Sequence, residues 1–225
     1  MPSLARLVDP AAARPVADAL VASGAFTVDL GRPRDQWYRW KSGIVAPCGC
    51  NCRLLNTRPA VRRLVDDALA AATGRAFPGA DYVVAVAQAG IPWAKTLADR
   101  LGVPLAWVRA TPRADGLPLV ECSPGPGGQA VIVDDVVAGG GSIARAIEAV
   151  LAETSLGVAG VLSIANWDFP EMRAQLAPWR VRALTSYPQV LASAERAGLV
   201  SAAGVGELTR FYAAPRRYPW AGVEP

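Results

Sequence analysis

The run Val131-Ile132-Val133-Asp134-Asp135-Val136-Val137-Ala138-Gly139-Gly140-Gly141-Ser142 sets two adjacent carboxylates after an apolar stretch and three glycines before a serine. The apolar stretch reads as a buried strand, so both acids emerge at its carboxyl edge. Glycines remove side chains where an anion must approach backbone, and Ser142 is expected to cap the helix that follows. Loop amides and a helix N-terminus together form a nest for a phosphate. Carboxylates this close to a phosphate do not bind it themselves; their partners are sugar hydroxyls or a divalent cation. Phosphate, vicinal diol and metal together describe a phosphorylated ribose. A Walker A loop is excluded because no lysine precedes Ser142, and a dinucleotide fingerprint would carry its acid on a later strand. A strand ending in an ordinary charged turn would explain the glycines but not the paired aspartates.

Composition narrows the chemistry further. The chain of 225 residues contains no histidine, so a Ser-His-Asp triad, a Cys-His pair and a zinc-binding HExxH helix are all closed. Catalysis must rest on carboxylates, Lys, Arg, Cys or backbone. With 52% hydrophobic and 19% charged residues the chain can bury a core. A net charge of +4 suits an anionic small molecule as well as nucleic acid, and pairs such as Arg62-Arg63 and Arg216-Arg217 read as solvated charges, so nucleic acid is not favoured as a partner. Neither a leader nor a membrane span is visible, and a cytoplasmic protein with reduced thiols is expected. Cys48, Cys50 and Cys52 would point their sulfurs to one face of a strand, yet Cys122 alone is thin support for a metal site.

The elements that must position these groups follow from periodicity. Pro10 to Ser23 reads as a helix closed by Gly24, and Phe26 to Leu30 and Trp37 to Lys41 as strands. Ile44 to Leu55 reads as extended, and Arg58 to Ala72 as a helix capped by Thr57. From Asp81 onward strands and helices alternate: Tyr82 to Val86, Pro92 to Leu101, Leu105 to Val108, Ala130 to Val133, Ser142 to Ala152, Val158 to Ala165 and Val181 to Leu184. This order predicts an α/β fold, a doubly wound and mainly parallel sheet with helices on both faces, and ligands at the strands' carboxyl ends. The Pro/Gly-rich stretch 110–128 is expected to be a flexible loop or lid.

As a set these residues resemble the type I phosphoribosyltransferases, and most of all orotate phosphoribosyltransferases. Beyond the acid and glycine run, the similarity takes in Trp40-Lys41-Ser42-Gly43, Ala46-Pro47 and Cys52-Arg53. It continues through Ala89-Gly90-Ile91-Pro92-Trp93-Ala94, Leu101-Gly102-Val103-Pro104 and Val108-Arg109, covering roughly residues 35 to 195. The resemblance implies one phosphoribosyltransferase domain over 1–225, with a small N-terminal hood over 1–57 and a flexible catalytic loop over 110–128. It also implies a homodimer. The implied reaction is transfer of 5-phosphoribosyl from 5-phosphoribosyl pyrophosphate (PRPP) to a heterocyclic nitrogen, with Mg²⁺ and release of pyrophosphate. Carried over by position, Asp134 and Asp135 hold the ribose hydroxyls and, indirectly, Mg²⁺. Val137, Ala138, Gly139, Gly140, Gly141 and Ser142 cradle the 5-phosphate. Ala87, Gln88, Ala89 and Gly90 form the pyrophosphate loop, which Lys41, Arg109 and Arg113 reach with charge, while Ser42, Gly43 and Trp167 face the base.

Two departures bear on the acceptor. In the catalytic loop Ala110 and Arg113 stand where the family has lysines, and Asp115 where it has histidine. After the fifth strand the family's Asp-Arg is replaced by Asn166-Trp167. Orotate is the first acceptor implied, with another base, or a sensor of PRPP or nucleotide without catalysis, as alternatives. Trp167 and Asn166 offer stacking area and neutral hydrogen bonds but no charge, from which weaker use of orotate and a neutral or larger aromatic acceptor are expected.

Overall fold

The computed structural model describes residues 7–40, 42–112, 116–121, 125 and 127–217. Its centre is a six-stranded sheet in the order β10-β9-β8-β5-β6-β7. The strands are β5 (Tyr82–Val86), β6 (Leu105–Val108), β7 (Val120–Glu121), β8 (Gln129–Val137), β9 (Gly157–Asn166) and β10 (Val181–Ser186). All neighbours are parallel except β7, which runs antiparallel along the edge of β6. The predicted α/β class is therefore the one observed.

Both faces of the sheet are covered, which is why its central strands are apolar throughout. Val83, Ala85, Val131 and Val133 pack with α1 (Pro10–Ala22), α2 (Pro59–Ala76) and α3 (Ile91–Leu101), and with α6 (Tyr187–Arg196) and α7 (Ala202–Ala213). Val84, Val86, Ala130 and Ile132 face α4 (Gly141–Glu153) and α5 (Pro170–Gln175), where Ile143, Ile147, Met172 and Leu176 are buried. Two small antiparallel pairs complete the fold: β1 (Phe26–Val28) with β4 (Cys48–Cys50), and β2 (Tyr38–Arg39) with β3 (Val45–Ala46).

Several sequence boundaries shift for local reasons. The first helix closes as expected, with Gly24 left-handed at φ 71°. Residues Cys52–Thr57 form a 3₁₀ turn and not extended chain. Thr57 donates its hydroxyl to the Leu54 carbonyl at 2.8 Å to close that turn, and α2 begins on Pro59 without a side-chain cap. The strand expected to stop at Val133 continues to Val137, because β9 lies beside it and pairs Asp134 with Ser163 and Val137 with Asn166. Of the stretch 110–128, the described residues Val120 and Glu121 are pinned to β6, where Arg109 forms an ion pair with Glu121.

One glycine is required by packing. A Cβ on residue 90 would stand 2.5 Å from the Val133 carbonyl oxygen and 2.8 Å from that of Val86, both backbone atoms. Gly90→Ala is therefore expected to destabilise by about 1–3 kcal/mol and lower Tm by about 5 °C. Thermal melting by circular dichroism checks this, and an unchanged Tm would remove the close approach from the account.

Candidate active site

The carboxyl edge of the sheet gathers most of the sequence-predicted residues. Asp134 and Asp135 occupy successive positions near the end of β8, and Asp134 is 7% exposed. Each aspartate is tied to the chain just after it. The Asp135 amide donates to Asp134 Oδ1 at 2.9 Å, and the Val136 amide to Asp135 Oδ1 at 2.7 Å. Burial holds the Asp135 carboxyl above its ordinary range. The Val136 amide, Asp134 and the Arg53 guanidinium all pull the other way. Arg53, exposed on the 3₁₀ turn, acts on this carboxylate through its field, while its Nε donates to Asn51 Oδ1 at 2.9 Å.

Beyond the acids the chain turns through Ala138, Gly139 and Gly140 into α4. Gly140, at φ 84°, occupies the N-cap position, so Ser142 lies in the first turn and is not the cap expected from its type. A side chain at Gly140 would press on Met172 and Gln175 of α5. The loop is anchored at its start, where the Trp167 amide donates to the Val137 carbonyl at 2.8 Å.

A second turn, Ala87 to Gly90, follows β5 and contains a cis peptide between Ala87 and Gln88. Gly90 brings this turn against Val133, the residue immediately before Asp134. The two turns and the two carboxylates therefore share one edge.

The third approach comes from the tip of the β2-β3 hairpin. Gly43 is left-handed at φ 80°, and its amide donates to Trp40 at 2.9 Å. Ser42 stands over the glycine loop, its Cβ 3.7 Å from where a Gly139 side chain would begin. The Ser42 hydroxyl is buried without a hydrogen-bond partner, and its carbonyl accepts from Arg216 at 3.3 Å. Lys41 and Arg113 lie outside the described residues.

Trp167 does not stand where the sequence suggested. Its ring is 2% exposed and meets Phe26 and Tyr187 edge-on at centroid distances of 6.5 and 5.2 Å. As a core ring beneath the β1-β4 pair, it has no open face for a base. The turn after β9 instead brings up Asp168, left-handed at φ 50°, in a 3.1 Å ion pair with Arg173 of α5. Arg173 also lies in hydrogen-bonding reach of Tyr212, and its side chain is 40% exposed. The Asn166 side chain receives the Asp168 amide at 2.8 Å and keeps a buried NH₂ with no partner. Of the other groups in this neighbourhood, Arg53 belongs to the Cys52-Arg53 run already matched in the sequence, Arg173 is a cation that could serve the base only if the backbone favours it, and Glu121, which binds both Arg109 and the Trp107 indole, carries no sequence signal.

The cysteines divide. Cys48 is buried against the Tyr187 hydroxyl at 3.7 Å, and burial pushes its thiol up to about 12. Because β4 ends at Cys50, Cys52 turns back and the Cys50 and Cys52 sulfurs lie 3.8 Å apart. Cys48 and Cys50 share a face of β4, and Cys52, beyond the strand's end, does not belong to it. Among the described residues no three Cys, Asp or Glu side chains converge as a metal cage, and no helix is long and apolar enough to cross a membrane.

Comparison with known proteins agrees with this geometry. The phosphoribosyl transferase domain model matches residues 55–166. The orotate phosphoribosyltransferase of Bacillus caldolyticus is 31% identical over 90% of this chain and 97% of its own. The crystal structure of orotate phosphoribosyltransferase from Aeropyrum pernix superposes with a TM-score of 0.68 at 25% identity, covering 83% of this chain and 99% of that one. Leishmania donovani UMP synthase shares the fold at a TM-score of 0.72 and 22% identity, over 91% of this chain and 42% of that chain. Sheet order, glycine loop and paired acids thus define a type I phosphoribosyltransferase fold. The chain belongs to the phosphoribosyltransferase family and is an enzyme of that type.

The raised Asp135 carboxyl has a measurable consequence. A carboxyl held above its ordinary range costs stability once it ionises, so the penalty is absent in acid and grows as pH rises. Asp135→Asn keeps an oxygen for the Val136 amide and removes that charge. Its Tm is expected to exceed that of the wild type at about pH 8, the gain shrinking toward about pH 4. Calorimetric scans at both pH values check this, and a lower Tm at the higher pH would contradict burial as the dominant effect.

Proposed function

We propose that this enzyme transfers 5-phosphoribosyl from PRPP to orotate, forming orotidine 5′-phosphate and pyrophosphate. The observation that carries the reading is that the Gly90–Val133 contact sets the 87–90 turn against β8 one residue before Asp134, while the 137–142 loop leaves the same strand just after Asp135. That spacing suits a phosphate at one end, a pyrophosphate at the other and a sugar between them. The acceptor is supported by the relatives named orotate phosphoribosyltransferase, which match nearly the whole chain.

In this reading Asp134 and Asp135 take the ribose hydroxyls and balance the positive charge that develops as the bond from C1 to pyrophosphate breaks. The base nitrogen then forms the new bond to C1. Val137 to Ser142 hold the 5-phosphate with loop amides and the start of α4. Gln88, Ala89 and Gly90 face the pyrophosphate, with Lys41, Arg109 and Arg113 as its cations. Arg109 is already positioned by Glu121, from which it must be drawn by a stronger anion. Catalysis of this kind is positioning and electrostatics in a site that excludes water.

The donor set also fits Mg²⁺. Two carboxylates, with no third ligand beside them among the described residues, match an ion that keeps waters and takes its remaining ligands from substrate oxygens. Bound there beside Asp134 and Asp135, the ion would neutralise the leaving pyrophosphate. The active form proposed is a cytoplasmic homodimer in which residues 110–128 serve as the catalytic loop.

The base lies over Ser42 and Gly43, and its carboxylate requires a cation, since burying it unpaired costs several kcal/mol. Trp167 is enclosed in the core, which removes the argument for a larger, neutral acceptor. Arg173 supplies the charge from one turn later in the chain, with Asp168 holding its guanidinium in place.

Steady-state kinetics with PRPP, Mg²⁺ and orotate test the reading. Asp134→Asn and Asp135→Asn are each expected to lower turnover at least ~100-fold with the fold intact. Near-normal transfer by the double variant would reject the assignment. Arg173→Gln is expected to raise the orotate KM by about 10- to 100-fold and leave the PRPP KM in place, the scale of a lost charged hydrogen bond. Arg173→Lys should recover part of it. An unchanged orotate KM, or an equal rise for both substrates, would remove Arg173 from the base site.

A further inference from the structure

We propose that Cys50 and Cys52 are a redox-active dithiol that peroxide closes to a disulfide, slowing the enzyme from the edge of its site. Residues two apart on a continuous strand would hold their Cα atoms about 6.6 Å apart with side chains parallel. Here the strand ends between them, and the turn brings the two sulfurs to 3.8 Å. Both thiols are free. A disulfide needs about 2.05 Å, so closure asks for roughly 1.8 Å of movement, within the range of side-chain rotation and a small shift of the turn.

The two thiols are unequal in a way that orders the chemistry. Cys50 is partly exposed and Cys52 is buried. The Cys50 thiolate attacks one oxygen of hydrogen peroxide, the O–O bond breaks, and a sulfenic acid forms with loss of water. The Cys52 sulfur then attacks that sulfenic sulfur, the S–S bond forms and a second water leaves. Two thiols give up two electrons and two protons, and one peroxide is reduced to two waters. Cys48 stays out of the reaction, enclosed against Tyr187.

Closure reaches the site because the two backbones are not equally free. Cys50 is held in register with Phe26 on β1, and the next amide, of Asn51, donates to Ala25 at 2.8 Å. Cys52 opens the 3₁₀ turn, and its sulfur has Asp135 and Asp134 as charged neighbours. The part that moves is therefore the turn, which packs against β8, the strand of Asp134 and Asp135, and which carries Arg53, whose positive field reaches Asp135. The expected result is weaker PRPP binding in the oxidised form. The kinetic half of this inference rests on PRPP being the donor, whereas the covalent half does not.

The test uses the full chain, purified reduced and then treated with hydrogen peroxide. The expected oxidised species has lost about 2 Da and two titratable thiols. Its PRPP KM is higher by about two- to fivefold, the scale on which one exposed charge neighbour acts. Dithiothreitol should reverse all three changes. Cys50→Ser and Cys52→Ser should each abolish the mass loss and equalise oxidised and reduced kinetics, while Cys122→Ser retains the mass loss. A gain of one or two oxygens, a disulfide-linked dimer, or the same mass loss in Cys50→Ser would overturn the dithiol. A disulfide with unchanged PRPP kinetics would overturn the regulatory part. Failure of the reduced wild type to use PRPP would instead count against the proposed reaction, with the mass measurement still deciding the thiol chemistry.

Discussion

The geometry of the site depends on one close approach, between Gly90 and the carbonyl of Val133. Absence of a side chain at residue 90 lets the turn after β5 lie directly on β8, one residue before Asp134. The Ala85↔Val133 pairing fixes the register of the two strands, so the turn meets β8 at a set height. That contact sets the distance between the turn at 87–90 and the loop at 137–142, and with it the length of ligand that can bridge them across the aspartates. Any larger residue at position 90 pushes backbone against backbone, which a packed interior does not absorb cheaply.

Around this contact the sheet behaves as a rigid platform, and the approach of other elements supplies the chemistry. The hairpin tip brings Ser42 over the glycine loop, the 3₁₀ turn extends the positive field of Arg53 to Asp135, and α5 brings Arg173 to the turn after β9. Aromatic packing sets these approaches. Trp40 stacks on Phe169 at 5.9 Å, Phe169 meets Phe211 edge-on, and Trp167 fills the space between Phe26 and Tyr187. The rings fix the upper layer to the sheet, and the charged groups at its rim inherit that placement.

The parallel strands were legible because burial on both faces demands continuous apolar runs, as in Val83 to Val86 and Val131 to Val133. The acids and glycines were legible because few folds need that order at a strand end. Less of the site's rim could be read. Trp167 looked like a base platform because an aromatic at a sheet edge is ambiguous until its neighbours are known, and Phe26 and Tyr187 are far from it in sequence. Arg173 and Glu121 owe their positions to tertiary contacts, with Asp168 and with Arg109, that no local pattern announces. Ser142 has the type of a helix cap, but a left-handed glycine already occupies that position.

The central claim is that the two turns and the aspartates between them hold one PRPP molecule and pass its 5-phosphoribosyl group to an acidic base. Phosphorus NMR of PRPP with the enzyme and Mg²⁺, recorded with and without orotate, tests it most directly. The account predicts free pyrophosphate and a new phosphomonoester in equal amounts, appearing only when orotate is present. PRPP left intact in its presence, or broken down equally in its absence, would contradict it.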